Sequence, residues 1–146
     1  MSTRSPIPAG DPGDAAIEEA IRQAESRTSG EIRVFLSRHP CLDPGRAARQ
    51  EFVRFDMSRT PLRNGVLLYF APESGAFALA SDEGIQFRCG PDFESAVTAA
   101  AHAGFQQGSL SDALLGAIRT AGDLLARQFP RHSIDRNDLP NTVIRD

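Results

Sequence analysis

Glu31, Asn64 and the neighbours Asp82 and Glu83 come from three separated segments of the chain, yet all four carry oxygens that a hard divalent cation can use. Ca²⁺ and Mg²⁺ take several carboxylate and amide oxygens at once, with water completing the shell. Other chemistries find less support. The chain has no G-x-x-x-x-G-K-[ST], G-x-S-x-G or G-x-G-x-x-G, so neither a nucleotide nor an organic cofactor is implied. It has no D-x-D pair of carboxylates, and Cys89 runs into "GPDFES" without the Arg that a phosphate-cradling cysteine loop places five residues on. Phosphate chemistry here would therefore be metal-assisted, and the catalytic residues stay unassigned. Cys41, two residues after His39, offers two soft ligands in "HPC", but the other two would have to come from distant segments. An ordinary surface loop is the simpler reading. His102, inside a helical stretch, and His132, beyond the last one, read as polar surface.

Whether three separated segments can act together depends on the elements that carry them. Residues 1 to 13 are rich in Pro, Gly and Ser and read as a loose arm. A first helix is expected from Asp14 as N-cap, with Ile17, Ile21 and Ala24 on its buried stripe and "TSG" as its stop. "EIRVFLS" sets Ile32, Val34 and Leu36 against Arg33 and Phe35, as a strand does. Asp43 and Pro44 open a second helix, with Ala48, Phe52 and Phe55 on one face. "NGVLLYF" is apolar on both sides, which suits a central strand covered by two helix layers. "APESG" turns it into "AFALAS", a hairpin, and a short strand "GIQFR" is expected after that. Two helices follow, one with Phe93, Val97 and Ala101 and one with Leu110, Leu114, Ile118 and Leu125, closed by Pro130. Residues 131 to 146 are polar and read as a tail laid on the surface or left mobile, which leaves 14 to 130 as a single domain.

A helix between two strands makes them parallel through a right-handed crossover. The result is an α/β fold, a three-layer α/β/α sandwich around a small mixed sheet. That topology answers the opening question. The hairpin returns the end of the third strand to the start of the second, and a parallel first strand starts at the same rim. Glu31, Asn64, Asp82 and Glu83 should meet there. The competing reading is structural: Gly30, Gly65 and Gly84 make turns, Asn64 tolerates an unusual backbone, and Asp82 binds neighbouring amides. The opposite rim, where parallel strands end, is the usual ligand side of open sheets. It offers Asp43, Glu73 and a helix start, although an N-cap accounts for Asp43.

"AIEEAIRQAESRTSGEIRVFLS", "FVRFDMSRTPLRNGVLLYFAPES", "FALASDEGI" and "FPRHSIDRNDLPN", taken in order over residues 14 to 141, resemble the TPM domain family. The resemblance implies an α/β/α domain known from bacteria and chloroplasts. It also implies a phosphatase label and, in some members, divalent-cation binding. Many relatives carry a signal peptide and a membrane helix; this chain is similar to the short members. It departs from them at Phe93, which Glu94 follows where short relatives tend to have an aromatic pair.

Composition narrows the rest. All 16 basic residues are Arg, and the formal charge is -3. Net acidity, no Trp and a single Tyr argue against nucleic-acid binding, and Arg46, Arg49, Arg54, Arg59 and Arg63 read as a solvated basic surface. Two Cys make no disulfide framework, the N-terminus lacks a signal peptide's apolar segment, and no apolar run is long enough to span a membrane. The expectation is a cytoplasmic monomer with a weak Ca²⁺ or Mg²⁺ site and phosphatase-like activity. The alternative is a non-catalytic module that holds an unknown protein partner.

Overall fold

The computed structural model describes residues 11–131 and 143–146. Most of the arm and tail expected from the sequence, with His132, lies outside those residues. Within them the chain forms α1 (Asp14–Glu25), β1 (Glu31–Leu36), α2 (Pro44–Arg54), β2 (Gly65–Ala71), β3 (Ala76–Ser81), α3 (Glu83–Cys89), α4 (Pro91–Gln106), α5 (Leu110–Gln128) and β4 (Val143–Arg145). Single 3₁₀ turns at Met57–Arg59 and Pro72–Ser74 lie on either side of β2.

The sheet runs β3-β2-β1-β4. β1 and β2 are parallel, with Glu31 opposite Gly65, and β2 and β3 are antiparallel, with Val66 opposite Ser81. All seven residues of β2 are buried, as a strand paired on both edges and covered on both faces requires. On one face Ile32, Val34 and Leu36 meet α1, α4 and α5 in the larger core. On the other, Phe35, Leu67, Tyr69 and Ala80 meet Ala48 of α2 and Met57, with the Phe35 and Tyr69 rings stacked 5.2 Å apart. These are the three layers that the sequence implies.

Helix starts follow local chemistry. The Asp43 carboxylate accepts the Arg46 N–H at 3.1 Å and Pro44 takes the first helical position of α2; the Ser109 hydroxyl accepts the Asp112 N–H at the start of α5. α1 is capped one residue earlier than expected. Gly13 is its N-cap, and Asp14 is its first residue, ion-paired to Arg145 at 2.6 Å.

Three expectations change. Residues 84 to 88 are not a strand but the body of α3, because the Asp82 carboxylate caps the Glu83 N–H at 2.8 Å and the Asp82 carbonyl takes the Ile85 and Gln86 N–H groups. The apolar alternation of Ile85 and Phe87 resembles a strand, but only Ile85 packs inward; Phe87 is 90% exposed. The chain after 142 is not a loose tail either. Val143–Arg145 pairs in parallel with β1, and Val143 packs on the larger core. Finally, Gly65 and Gly84 serve close approach rather than turns. A Cβ would stand 2.6 Å from the Met57 carbonyl oxygen at Gly65, and 2.2 Å from that of Leu62 at Gly84. The unusual backbone allowed for at Asn64 is found instead at Arg63, with φ 51°.

Candidate functional site

The register brings the four sequence-selected residues to one rim. The Glu31 N–H donates to the Asn64 carbonyl at 3.2 Å, and the Asp82 N–H donates to the Gly65 carbonyl at 3.0 Å. Glu31, Asn64 and Asp82 are buried while Glu83 is exposed. The same end of the molecule gathers buried Glu25, Thr28 and Thr60. Six of the seven buried polar residues described therefore lie together, Ser37 being the exception. A concentration of polar groups away from water needs partners, and here they fall into two sets.

In the first set Arg63 binds both acids of the α3 start. Its Nε and Nη2 donate to the two Asp82 oxygens at 2.8 and 3.0 Å, a bidentate fork, and its Nη1 lies 3.3 Å from the Glu83 carboxylate. Gly84 permits this, since the first turn of α3 lies directly on the Leu62 and Arg63 backbone. The hydrogen bond to Asp82 and the charges of Asp82 and Glu83 together raise the pKa of the Arg63 guanidinium.

Glu31 belongs to the second set. Its carboxyl shares a hydrogen bond with Glu25, the last residue of α1, whose Oε2 also accepts the Ile32 N–H at 2.7 Å. Burial, and then the Glu31 charge, push the Glu25 carboxyl up to about 9, so at neutral pH the pair holds a proton. Asn64 stands between the sets, its amide donating to the Ser29 hydroxyl at 3.2 Å. Sequence reasoning missed Glu25 and read Arg63 as solvated basic surface rather than as the partner of Asp82 and Glu83. Glu25 had a signal, since it follows Ile17, Ile21 and Ala24 on the buried stripe of α1. The pairing of Arg63 had none, because its partners come from another segment.

As a cation site the rim fits in part. Asp82 and Glu83 present adjacent carboxylates to one cationic group, but Arg63 already fills that place. Among the described residues no three His, Cys, Asp or Glu side chains gather closely enough to hold an ion by themselves. At the opposite rim Asp43 is engaged as the α2 cap and Glu73 points outward from its 3₁₀ turn. His39 and His102 are exposed, and no metal-ligating group forms around Cys41 among the described residues.

A four-stranded mixed sheet between helix layers, with this rim, defines an α/β/α domain of a recognisable kind. The chain belongs to the TPM domain family, whose model matches residues 11–124. It is similar to the BA42 protein of the psychrophilic bacterium Bizionia argentinensis, solved by NMR: 38% identical, TM-score 0.84, covering 91% of this chain and 92% of that one. The N-terminal domain of a P. gingivalis protein (15% identical, TM-score 0.64, 85% of each chain) shares the fold. So does that of cg2496 from Corynebacterium glutamicum (19%, TM-score 0.60, 76% of this chain and 70% of that). Comparison with curated proteins gives no match. No described helix is long and apolar enough to cross a membrane.

Proposed function

We propose that this TPM domain is a weak divalent-cation binding module, acting as a cytoplasmic monomer. Its ion, Ca²⁺ or Mg²⁺, is held at the rim of Glu31, Asn64, Asp82 and Glu83. The observation that supports this reading is the grip of Asp82 and Glu83 on one guanidinium, since two adjacent carboxylates already committed to a cation are what a hard divalent ion also seeks. Competition with a built-in cation keeps the affinity low. A bound ion would supply Lewis-acid polarisation of a phosphate-ester oxygen, the basis for a phosphatase-like activity.

The test is a Ca²⁺ and Mg²⁺ titration of isotope-labelled protein, following the amides of residues 63–65 and 82–85. The wild type should respond in the millimolar range, and Asp82→Asn should lose the response. Arg63→Gln, which removes the competitor, should tighten binding several-fold. If neither the wild type nor Arg63→Gln responds, the cation reading fails. Hydrolysis of p-nitrophenyl phosphate with and without Mg²⁺, with Asp82→Asn as control, checks the activity separately.

A second reading, a module for a protein partner, is favoured by Leu62 and Phe87. They are 49% and 90% exposed, and both adjoin the contact between α3 and the Leu62–Arg63 backbone. Here a partner captured by the wild type would be lost by Leu62→Ser with Phe87→Ser, whether or not a cation is present.

A further inference from the structure

The two edges of the sheet end differently. β4, at one edge, has three described residues and ends on Arg145, which Asp11 and Asp14 hold. Shortness and charge are devices by which natural sheets discourage pairing with another chain. β3, at the other edge, has neither. Its six residues, "AFALAS", include no charged residue and no Pro. Its register with β2 runs from Ala71 opposite Ala76 to Val66 opposite Ser81 without a bulge.

That register also fixes which backbone groups face outward. Along an antiparallel pair, opposed residues alternate between those that exchange both hydrogen bonds and those that exchange none. The Asp82 N–H bonds the Gly65 carbonyl at 3.0 Å, which places Ala80, Ala78 and Ala76 in the bonded pairs with β2. Phe77, Leu79 and Ser81 therefore turn their N–H and C=O groups away from the sheet. Gln86 agrees with this phase, since its side-chain amide donates to the outward Ser81 carbonyl at 2.9 Å. Among the described residues no other group bonds the outward row. Phe77 and Leu79 are only 5% and 8% exposed, and backbone groups so placed call for partners.

We propose that β3 is a self-pairing edge, through which two copies of this chain join their sheets antiparallel about a two-fold axis at Leu79. With Leu79 opposite Leu79, the two residues exchange both of their hydrogen bonds, and each Phe77 does the same with the second copy's Ser81. Every outward donor then faces an acceptor, and the Ser81 carbonyl keeps its other lone pair for Gln86. Charge selects the occupant. A charged strand favours a partner of opposite sign, whereas a strand without charge brings nothing repulsive against its own copy. Asp82, just past β3, falls opposite the second copy's Ala76 and is already neutralised by Arg63. An isologous contact of this kind closes at two chains. It rests on a strand pair and little more, so it is weak, and the monomer is its dilute form. The pairing does not depend on the cation reading.

The experiment follows the full chain from micromolar to millimolar concentration by sedimentation velocity and by amide spectra, without added cation. The mass should rise from one chain to two and stop there. Amides of Phe77, Leu79 and Ser81 should shift and exchange more slowly with solvent as the pair forms. Those of Ala76, Ala78 and Ala80, already bonded to β2, should move less. Ser81→Pro removes an outward N–H that the β2 ladder does not use, a substitution edge strands tolerate. The two-fold axis makes it delete a bond on each side, so pairing should weaken about tenfold. Ala78→Lys sets a charge at the half-buried middle of β3 and should weaken pairing likewise. It serves where the proline variant fails to fold. A mass of one chain throughout, growth beyond two chains, association with the β3 amides unmoved, or association undiminished in either folded variant would overturn the pairing.

Discussion

A single proton between Glu25 and Glu31 has consequences for stability. The unfolded chain ionises Glu25 near its ordinary value of 4.5, whereas the folded chain keeps it protonated to about 9. Between those values the native state binds more protons than the unfolded one, so stability should fall as pH rises across that window and level off above it. Glu25→Gln mimics the protonated acid: its amide oxygen can accept the Ile32 N–H and its amine can donate to Glu31. It should be more stable than the wild type by roughly 1–3 kcal/mol at pH 8, with no gain below pH 4.5, as measured by urea unfolding across the range. The same residue shows what can be read ahead of a structure. A Glu on an apolar stripe is visible in "AIEEAIRQAE"; the acid beside it, from the start of β1, is not.

At the scale of elements, patterns that are both local and long were legible. The apolar run of β2, the Asp43–Pro44 opening of α2 and the Leu stripe of α5 each contain enough period and punctuation to define themselves. The rim could be placed before its contacts because a hairpin and a crossover fix it geometrically. What failed was short. α3 has seven residues and buries only Ile85, and β4 has three, so neither shows a period. α3 is held by backbone proximity instead. Gly84→Ala would drive a methyl into the Leu62 carbonyl, and should cost about 2–4 kcal/mol in urea unfolding while weakening the Arg63–Asp82 fork. Phe87→Ser, on the exposed side of the same helix, should change stability by less than about 0.5 kcal/mol. β4 contributes Val143 to the core and Arg145 to Asp11 and Asp14, the former bidentate and with the Asp11 side chain only 2% exposed. Removing residues 143 to 146 should therefore lower stability by roughly 2–4 kcal/mol, allowing for a half-exposed Arg145, and by less in high salt.

On the scale of the molecule the two faces of the sheet are unequal. α1, α4 and α5 form a large core on one side; among the described residues α2 and the turn carrying Met57 cover the other, where Arg33 and Arg54 rest on the Phe55 ring. Cavity-forming changes such as Leu114→Ala on the three-helix side should cost about 3 kcal/mol, near the middle of the range for buried leucines. The order of the sheet also has a bearing on time. β1 is among the first elements of the chain, yet its outer neighbour is β4, and Val34 finds Val143 across 109 residues. The Ser37 hydroxyl and the Arg38 N–H likewise wait for Asp146. Contacts so distant form late, after loop closure has been met by nearer pairings. Until then β1 presents a bare strand edge, on which the Glu25 carboxyl oxygen takes the Ile32 N–H in the folded chain. A refolding chain therefore passes through a stage in which another copy's β1 or β4 can take the vacant place. Refolding yield should fall as protein concentration rises, and a chain lacking residues 143 to 146 should carry that vulnerability into its native state.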